Sequence, residues 1–235
     1  MDARKGCASC RLASMIERLD VREPALEDAG PSIGAPGACL VWRFPTARRG
    51  VSSAIVGGGI GEVSWVLNVT VDDDYGRMDP DAHLLEISTR LGLTERGVAL
   101  MTAVDVGSWS SASIDGAAAW ATVGVRKPVW AAEPGRRPSV ASVGTPGTIN
   151  LVVEVPARLT DAALVNAVTT ITEAKVQALF DQGIAGTGTA SDAVCVVCGA
   201  HGPAEQFGGP RSTWGARLAQ AAYDAVSAGV ARQRG

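Results

Sequence analysis

Apolar, β-branched runs alternate with two long helical patterns along this chain, with no regular strand–helix–strand repeat and no internal repeat. That mixture favours a single α/β or α+β domain with mixed β-sheets flanked by helices. Strand-like runs fall at Cys39–Phe44, Val51–Val56, Ser64–Val71, Val98–Val104, Trp120–Val125, Thr148–Val155 and Ala193–Val197. Asp79-Pro80 opens a helix to about Leu91, since Pro suits a first helical turn. Asp161–Gln182 is a long helix, and Ser212 caps an alanine-rich one to Arg232. Ala132–Gly147 and GAHGPAEQFGGP are loops. Residues 1–38 form an accessory polar tail ending in PSIGAPG, and 39–235 are the domain. A chain starting near Ala38 is expected to keep its activity.

Composition narrows the function. The 235 residues are 46% hydrophobic and 19% charged, enough to bury a core. A net charge of -3 gives no general attraction to nucleic acid or an anionic membrane surface. No apolar run reaches the roughly 18 residues of a membrane span, and the N-terminus lacks a signal peptide's apolar stretch, so a cytoplasmic protein is expected. Five cysteines include Cys7-x-x-Cys10 and Cys195-x-x-Cys198. The second pair lies in a strand, where residues three apart face opposite sides. Buried thiols are therefore expected, with no protein-held metal and no cofactor.

Two glycine stretches invite a phosphate reading. Gly57–Gly61 follows a strand, but strand follows it in turn, whereas a dinucleotide loop must open a helix. A hairpin is expected. GTGTASD, Gly186–Asp192, lacks a P-loop lysine. Its backbone N–H groups, with Thr187, Gly188 and Thr189, suit a cradle for a substrate oxygen, against the plainer reading of a turn. On the Asp161–Gln182 helix, Leu164, Val168, Ile171, Ala178 and Leu179 form an apolar stripe, and Lys175 falls inside it. Either its stem is buried with the ammonium at solvent, or it pairs with a carboxylate inside a site. Asn166, Thr170, Glu173 and Gln177 fall on the opposite face, which solvent explains. The histidines, His83 in a surface helix and His201 in a glycine loop, offer no triad. Ser52-Ser53 suits a nucleophile or a plain strand edge.

The run GTINLVVEVPARLTDAALVNAVTTITEAKVQALFDQGIAGTGTASDAVCVV resembles the adenosylcobinamide amidohydrolase family of corrinoid salvage. SSAIVGGG, VLNVTVDDDYG, LMTAVDV and the closing FGGPRSTWGARLAQAAYDAV are similar to it too, so the likeness covers about Val51 to Val226. Family members read like Gly-x-His-Thr-x-Leu-Gly near the last loop. This chain has GPRSTWG, with Arg211 in place of the histidine; arginine cannot act as a base, only as a clamp.

The resemblance implies hydrolysis of the amide joining aminopropanol to the corrin, releasing adenosylcobyric acid and 1-amino-2-propanol for cobalamin biosynthesis. The corrinoid is then the small-molecule partner, and its cobalt belongs to the substrate. A homo-oligomer stays open. Amide hydrolysis needs an activated water or nucleophile, oxyanion donors and a proton for the leaving amine. Lys175 is a candidate to polarise or shuttle a proton, and Asp105, Glu173 and Asp192 are candidate bases. Ser52, Ser53, Asn68, Thr102, Thr148, Asn150, Thr187, Gly188, Thr189, Arg211 and Ser212 are candidate substrate contacts. A non-catalytic corrinoid binder and an amidohydrolase for another small amide are the alternatives. GTINLVVEVPARLTDAAL also faintly resembles self-processing aminopeptidases, which implies a four-layer helix–sheet–sheet–helix sandwich.

Overall fold

The computed structural model describes residues 23–32, 34–133 and 147–234. Its longest strand, β2, runs Ala38–Ser52 without a break, where the sequence suggested two strands. The interruption survives as a register shift between Arg43 and Arg48 against β3 (Gly59–Thr70). Such an irregularity bends a strand and increases its twist. Before it, β2 pairs with β1 (Ala25–Asp28) as well as β3; after it, with β3 and β9 (Ala193–Cys198). One strand is thus shared by the two halves of an eight-stranded sheet.

The first half adds β4 (Val98–Thr102), parallel to β3. The second adds β7 (Ile149–Val155), parallel to β9, then β6 (Ala117–Val123) and β5 (Ser110–Ile114), antiparallel. The order is β4-β3-β2-β9-β7-β6-β5, with β1 beside β2. β8 (Arg158–Leu159) and β10 (Ala204–Glu205) form a short parallel ribbon. Among the described residues three α-helices cover the sheet: α1 (Pro80–Arg90), α2 (Asp161–Asp181) and α3 (Thr213–Arg232). No helix among the described residues is long and apolar enough to cross a membrane.

Side-chain alternation sorts the core into three layers of contact. On β7, Ile149, Leu151, Val153 and Val155 face α2 and α3. The intervening Val152 joins Leu40, Trp42, Val66, Leu100 and Trp120 between the two halves of the sheet. The outer side of the first half packs Cys39, Leu67 and Val69 against Leu84 and Ile87 of α1. Helix, half-sheet, half-sheet and helices therefore stack in four layers. Cys198 faces the helices and Cys195 the middle layer, so the two sulfurs diverge as strand alternation requires.

Three expectations change. β1 pairs with β2 and Ala35 is buried, so residues from Ala25 onward belong to the sheet and not to a separable tail. β5 went unread because SSASI carries few apolar residues, although Asp115-Gly116, both at positive φ, makes a tight hairpin turn to β6. His83 is wholly buried, not on a surface.

The alanine bias of α3 has a packing reason. Ala221, Ala222 and Ala225 lie on Ala117, Ala119 and Ala121 of β6 in one core. At Gly229 the backbone is so close that a Cβ would come 2.4 Å from Val123 Cγ2. Gly229→Ala gains helix propensity yet must push the helix off the sheet, and overpacking of this kind costs about 1–3 kcal/mol. The thermal midpoint should fall by about 2–10 °C for a domain of this size. An unchanged or raised midpoint would show that the helix has room.

Candidate functional site

A cleft of about 470 Å³ opens at one mouth of the sandwich, between the two halves of the sheet. One wall comes from the ends of β3 and β4: Val71, Asp72, Tyr75, Met101 and Thr102. The other comes from the starts of β7 and β9: Thr148, Asn150, Ser191 and Asp192. Ser53 and Ile55, just past β2, close a third side.

Asp192 anchors the second wall. Its Oδ1 accepts from the Ile149 N–H at 2.9 Å and from Thr189 Oγ1 at 2.5 Å. Its Oδ2 accepts from the Thr189 N–H at 3.1 Å and from Lys175 Nζ at 2.5 Å. The Lys175 and Asp192 side chains are only 8% and 12% exposed. Lysine thus sits in the apolar stripe of α2 because it meets a buried carboxylate, the paired reading of the two. Gly188 has no alternative residue: a Cβ there would fall 2.2 Å from Asp192 Oδ2.

Part of Gly186–Asp192, expected as a cradle, is engaged within the protein. Thr187 N–H donates to Val129 O, Gly186 N–H to Ile184 O, and Thr189 N–H to Asp192. Thr187 Oγ1 accepts from Ala131 N–H. These donors are spent inside the protein, so this part of the loop supports the Asp192–Lys175 pair, while Ser191 of the same loop lines the cleft. Asp192 likewise accepts four hydrogen bonds, which occupies a carboxylate's lone pairs and leaves no room for a base's work.

The cleft floor is a polar bridge between the sheet halves. Asn150 Nδ2 donates to Asn68 Oδ1 at 2.9 Å and to Met101 O at 3.0 Å, and Asn68 Nδ2 donates to Thr122 Oγ1 at 3.0 Å. Asn150 is 2% exposed, and its buried Oδ1 has no partner among the described residues. Beside it Thr148 Oγ1 and Ser191 Oγ share a hydrogen bond of 2.7 Å. Thr102 Oγ1 accepts from the Val104 N–H, leaving its own O–H free to donate.

The remaining candidates lie elsewhere. Glu173 is exposed on the outer face of α2; of its proposed neighbours there, Thr170 is buried and donates to Gly208 O. Arg211 is exposed and Ser212 caps α3, beside the N-terminal part of α2. Lys175 sits nearer the far end of that 21-residue helix, which spans ~30 Å. Asp105 caps a short 3-10 turn and lines an adjoining hollow of about 380 Å³, which shares Asp73 and Ala103 with the cleft. Ser52 is buried, bonding Val194 O and the Ala54 N–H, whereas Ser53 reaches the cleft. Sequence reasoning missed Asp72, Tyr75 and Ser191. VDDDYG looks like a solvated acidic turn, and only the tertiary structure brings it against β7 and β9.

Removing one member of a buried ion pair strands the other and costs about 3–5 kcal/mol. Asp192→Asn and Lys175→Met should each lower the thermal midpoint by about 6–15 °C. The double variant should lose less than the sum. Additive losses would show that the two groups are not coupled.

The model of a family described as adenosylcobinamide amidohydrolase matches residues 28–235. A Methanosarcina mazei protein named adenosylcobinamide amidohydrolase is 27% identical over 182 residues, covering 74% of this chain and 86% of that protein. A Halobacterium salinarum protein of the same name is 31% identical over 216 residues, covering 88% and 87%. Among solved structures, the PH0078 protein of Pyrococcus horikoshii OT3 has a TM-score of 0.43 at 12% identity, covering 89% of this chain and 81% of that one. The matched residues run from the end of β1 through α3, so every strand that builds the cleft lies within them, and the chain belongs to the adenosylcobinamide amidohydrolase family.

Proposed function

We propose that this chain, an amidohydrolase by its family, hydrolyses the aminopropanol amide of adenosylcobinamide in the cleft between the sheet halves, yielding adenosylcobyric acid and 1-amino-2-propanol. The reaction serves cobinamide salvage toward cobalamin. The observation that carries the reading is the orphaned Asn150 Oδ1 on the cleft floor. A buried acceptor without a partner costs free energy, and an amide N–H from a ligand satisfies it. Asn150's own amide nitrogen is held by two acceptors, so the oxygen's orientation is set by the protein. A cleft of about 470 Å³ takes the aminopropanol arm and one edge of the macrocycle, not a whole corrinoid.

Asp72 is the general base in this reading. Its side chain is exposed at the cleft and has no ion-pair partner among the described residues, whereas its neighbour Asp73 pairs with Arg126 at 3.2 Å. Asp72 takes a proton from water as the hydroxyl oxygen bonds to the acyl carbon. The Thr102 hydroxyl donates to the oxygen that gains charge, and so does Ser191 Oγ once it turns from Gly147 O, 3.3 Å away. The C–N bond then breaks, and the proton held by Asp72 passes to the leaving nitrogen. Water thus supplies hydroxyl to the acid and hydrogen to the amine. Lys175 stays behind Asp192 as a support and takes no part in the proton transfers. The substrate's cobalt takes no part, and no step of this reading calls on a protein-held metal.

The test is release of 1-amino-2-propanol from adenosylcobinamide. Asp72→Asn should lower kcat about 100-fold or more, the usual contribution of a general base, with its thermal midpoint unchanged. Dialysis against EDTA should leave the rate as it was. Full turnover in Asp72→Asn would remove that residue from the role. Binding of adenosylcobinamide by the native chain without aminopropanol release would make it a non-catalytic corrinoid binder.

A further inference from the structure

Behind the first wall of the cleft lies a hydrogen-bonded chain with no part in the steps above. His83 is wholly buried in α1. Its Nδ1 lies 2.9 Å from Tyr75 Oη and its Nε2 lies 2.7 Å from Ser32 Oγ. The Tyr75 and His83 rings are within 3° of parallel, their centroids 5.6 Å apart. Burial pushes the His83 pKa down, with Arg77 and Arg90 adding to that and Glu86 and Asp79 opposing it. The imidazole is therefore neutral near pH 7, with one nitrogen donating and the other accepting, so each hydroxyl has a defined partner.

Tyr75 is held on other sides too. Gly34, at φ +79°, passes its ring so closely that a Cβ would come 2.8 Å from Tyr75 Cδ2. Gly34 O accepts from the Asp72 N–H, and Asp72 O accepts from the Tyr75 N–H. The loop from β1 to β2 thus fixes the turn that carries both residues. Tyr75 is the one aromatic side chain lining the cleft among the described residues, beside Val71, Pro80, Met101 and Ile55. Ile55 is 61% exposed, an aliphatic group at the rim that the protein itself leaves uncovered.

We propose that Tyr75 is the aromatic wall on which the edge of the corrin ring packs, and that His83, bridged to Ser32, is the positioning residue that holds it there. The inference rests on the preceding assignment of a corrinoid to this cleft. The aminopropanol arm hangs from the corrin periphery, which is largely saturated and carries methyl groups. A substrate whose scissile amide reaches Asn150 therefore brings that apolar edge beside the amide, where an aromatic face and aliphatic neighbours favour it. The cobalt's upper ligand stands above the ring and not at its edge, so this wall grips the macrocycle without reading the adenosyl group.

Four full-length proteins test this: Tyr75→Leu, Tyr75→Phe, His83→Phe and the double Tyr75→Phe/His83→Phe. Each is assayed for aminopropanol release from adenosylcobinamide and for binding of dicyanocobinamide by absorbance titration. Tyr75→Leu should raise KM about tenfold with kcat changed less than about threefold, as loss of a contact made equally in ground and transition states requires. Its Kd for dicyanocobinamide should rise by the same factor. Tyr75→Phe and His83→Phe keep the rings but cut the chain, and each should raise KM about threefold, with the double variant no worse than either single one. Tyr75→Leu with normal KM and a normal melt overturns the proposal. So does a loss confined to adenosylcobinamide, and fully additive single effects remove His83 from its role. Where a variant melts early, the dicyanocobinamide titration, run below that temperature, still decides. Absence of aminopropanol release from the native chain would sink the underlying assignment; release with an unaltered KM in Tyr75→Leu sinks only this inference.

Discussion

The Asp192 carboxylate is where separate pieces of the chain meet: Lys175 from α2, the Ile149 N–H that opens β7, and Thr189 from the loop that leads into β9. A largely buried anion is tolerated only when its acceptor sites are filled, and here they are. Holding the starts of two parallel strands at one carboxylate places Thr148, Asn150 and Ser191 side by side on one wall. In the proposed reaction the ion pair contributes through this geometry and not as a reactant. A glycine at 188 is the steric condition for it.

The cleft exists because the sheet folds over on itself. β2 serves both halves, and the irregularity between Arg43 and Arg48 lets it do so. Most of the space between the halves is closed by apolar contact, including the edge-to-face pair Trp42–Trp120 at 5.9 Å. At the mouth the chemistry changes to Asn68, Thr122 and Asn150. Such a bridge must be satisfied to be stable, and it is, except for the buried Oδ1 of Asn150, which has no partner among the described residues. The far part of the same interlayer holds Glu154 and Arg48 at 3.4 Å, with burial pushing the carboxyl pKa up.

Much of the architecture was legible because it rests on local periodicity. The apolar run of β9, the capped helices and the stripe of α2 all follow rules spanning a few residues. The opposed directions of Cys195 and Cys198 need only a strand's alternation. The lysine within that stripe was a visible anomaly, and its partner proved to be an acid already under suspicion. His83 could have been placed inside as well, since it precedes the buried Ile87 by four residues on the same helix face. Asp115-Gly116 was an available sign of the β5–β6 hairpin.

By itself, the sequence determined the elements, their amphipathic faces, the family likeness and the residue types that amide chemistry requires. Only the tertiary structure decided which of those residues act together. Glu173, Arg211 and Ser212 were credible by type but lie on solvent or beside the other end of α2, while Asp72, Tyr75 and Ser191, unremarked in their turns, line the cleft. Thr189 and Asp192 were expected to face a substrate and instead spend their donors and acceptors on each other and on Lys175. The physical reason is that secondary structure is set by neighbours along the chain. A hydrogen-bond acceptor's partner is set instead by whichever strand or helix is folded against it: Lys175 lies 17 residues from Asp192, and Asn150 lies 82 from Asn68.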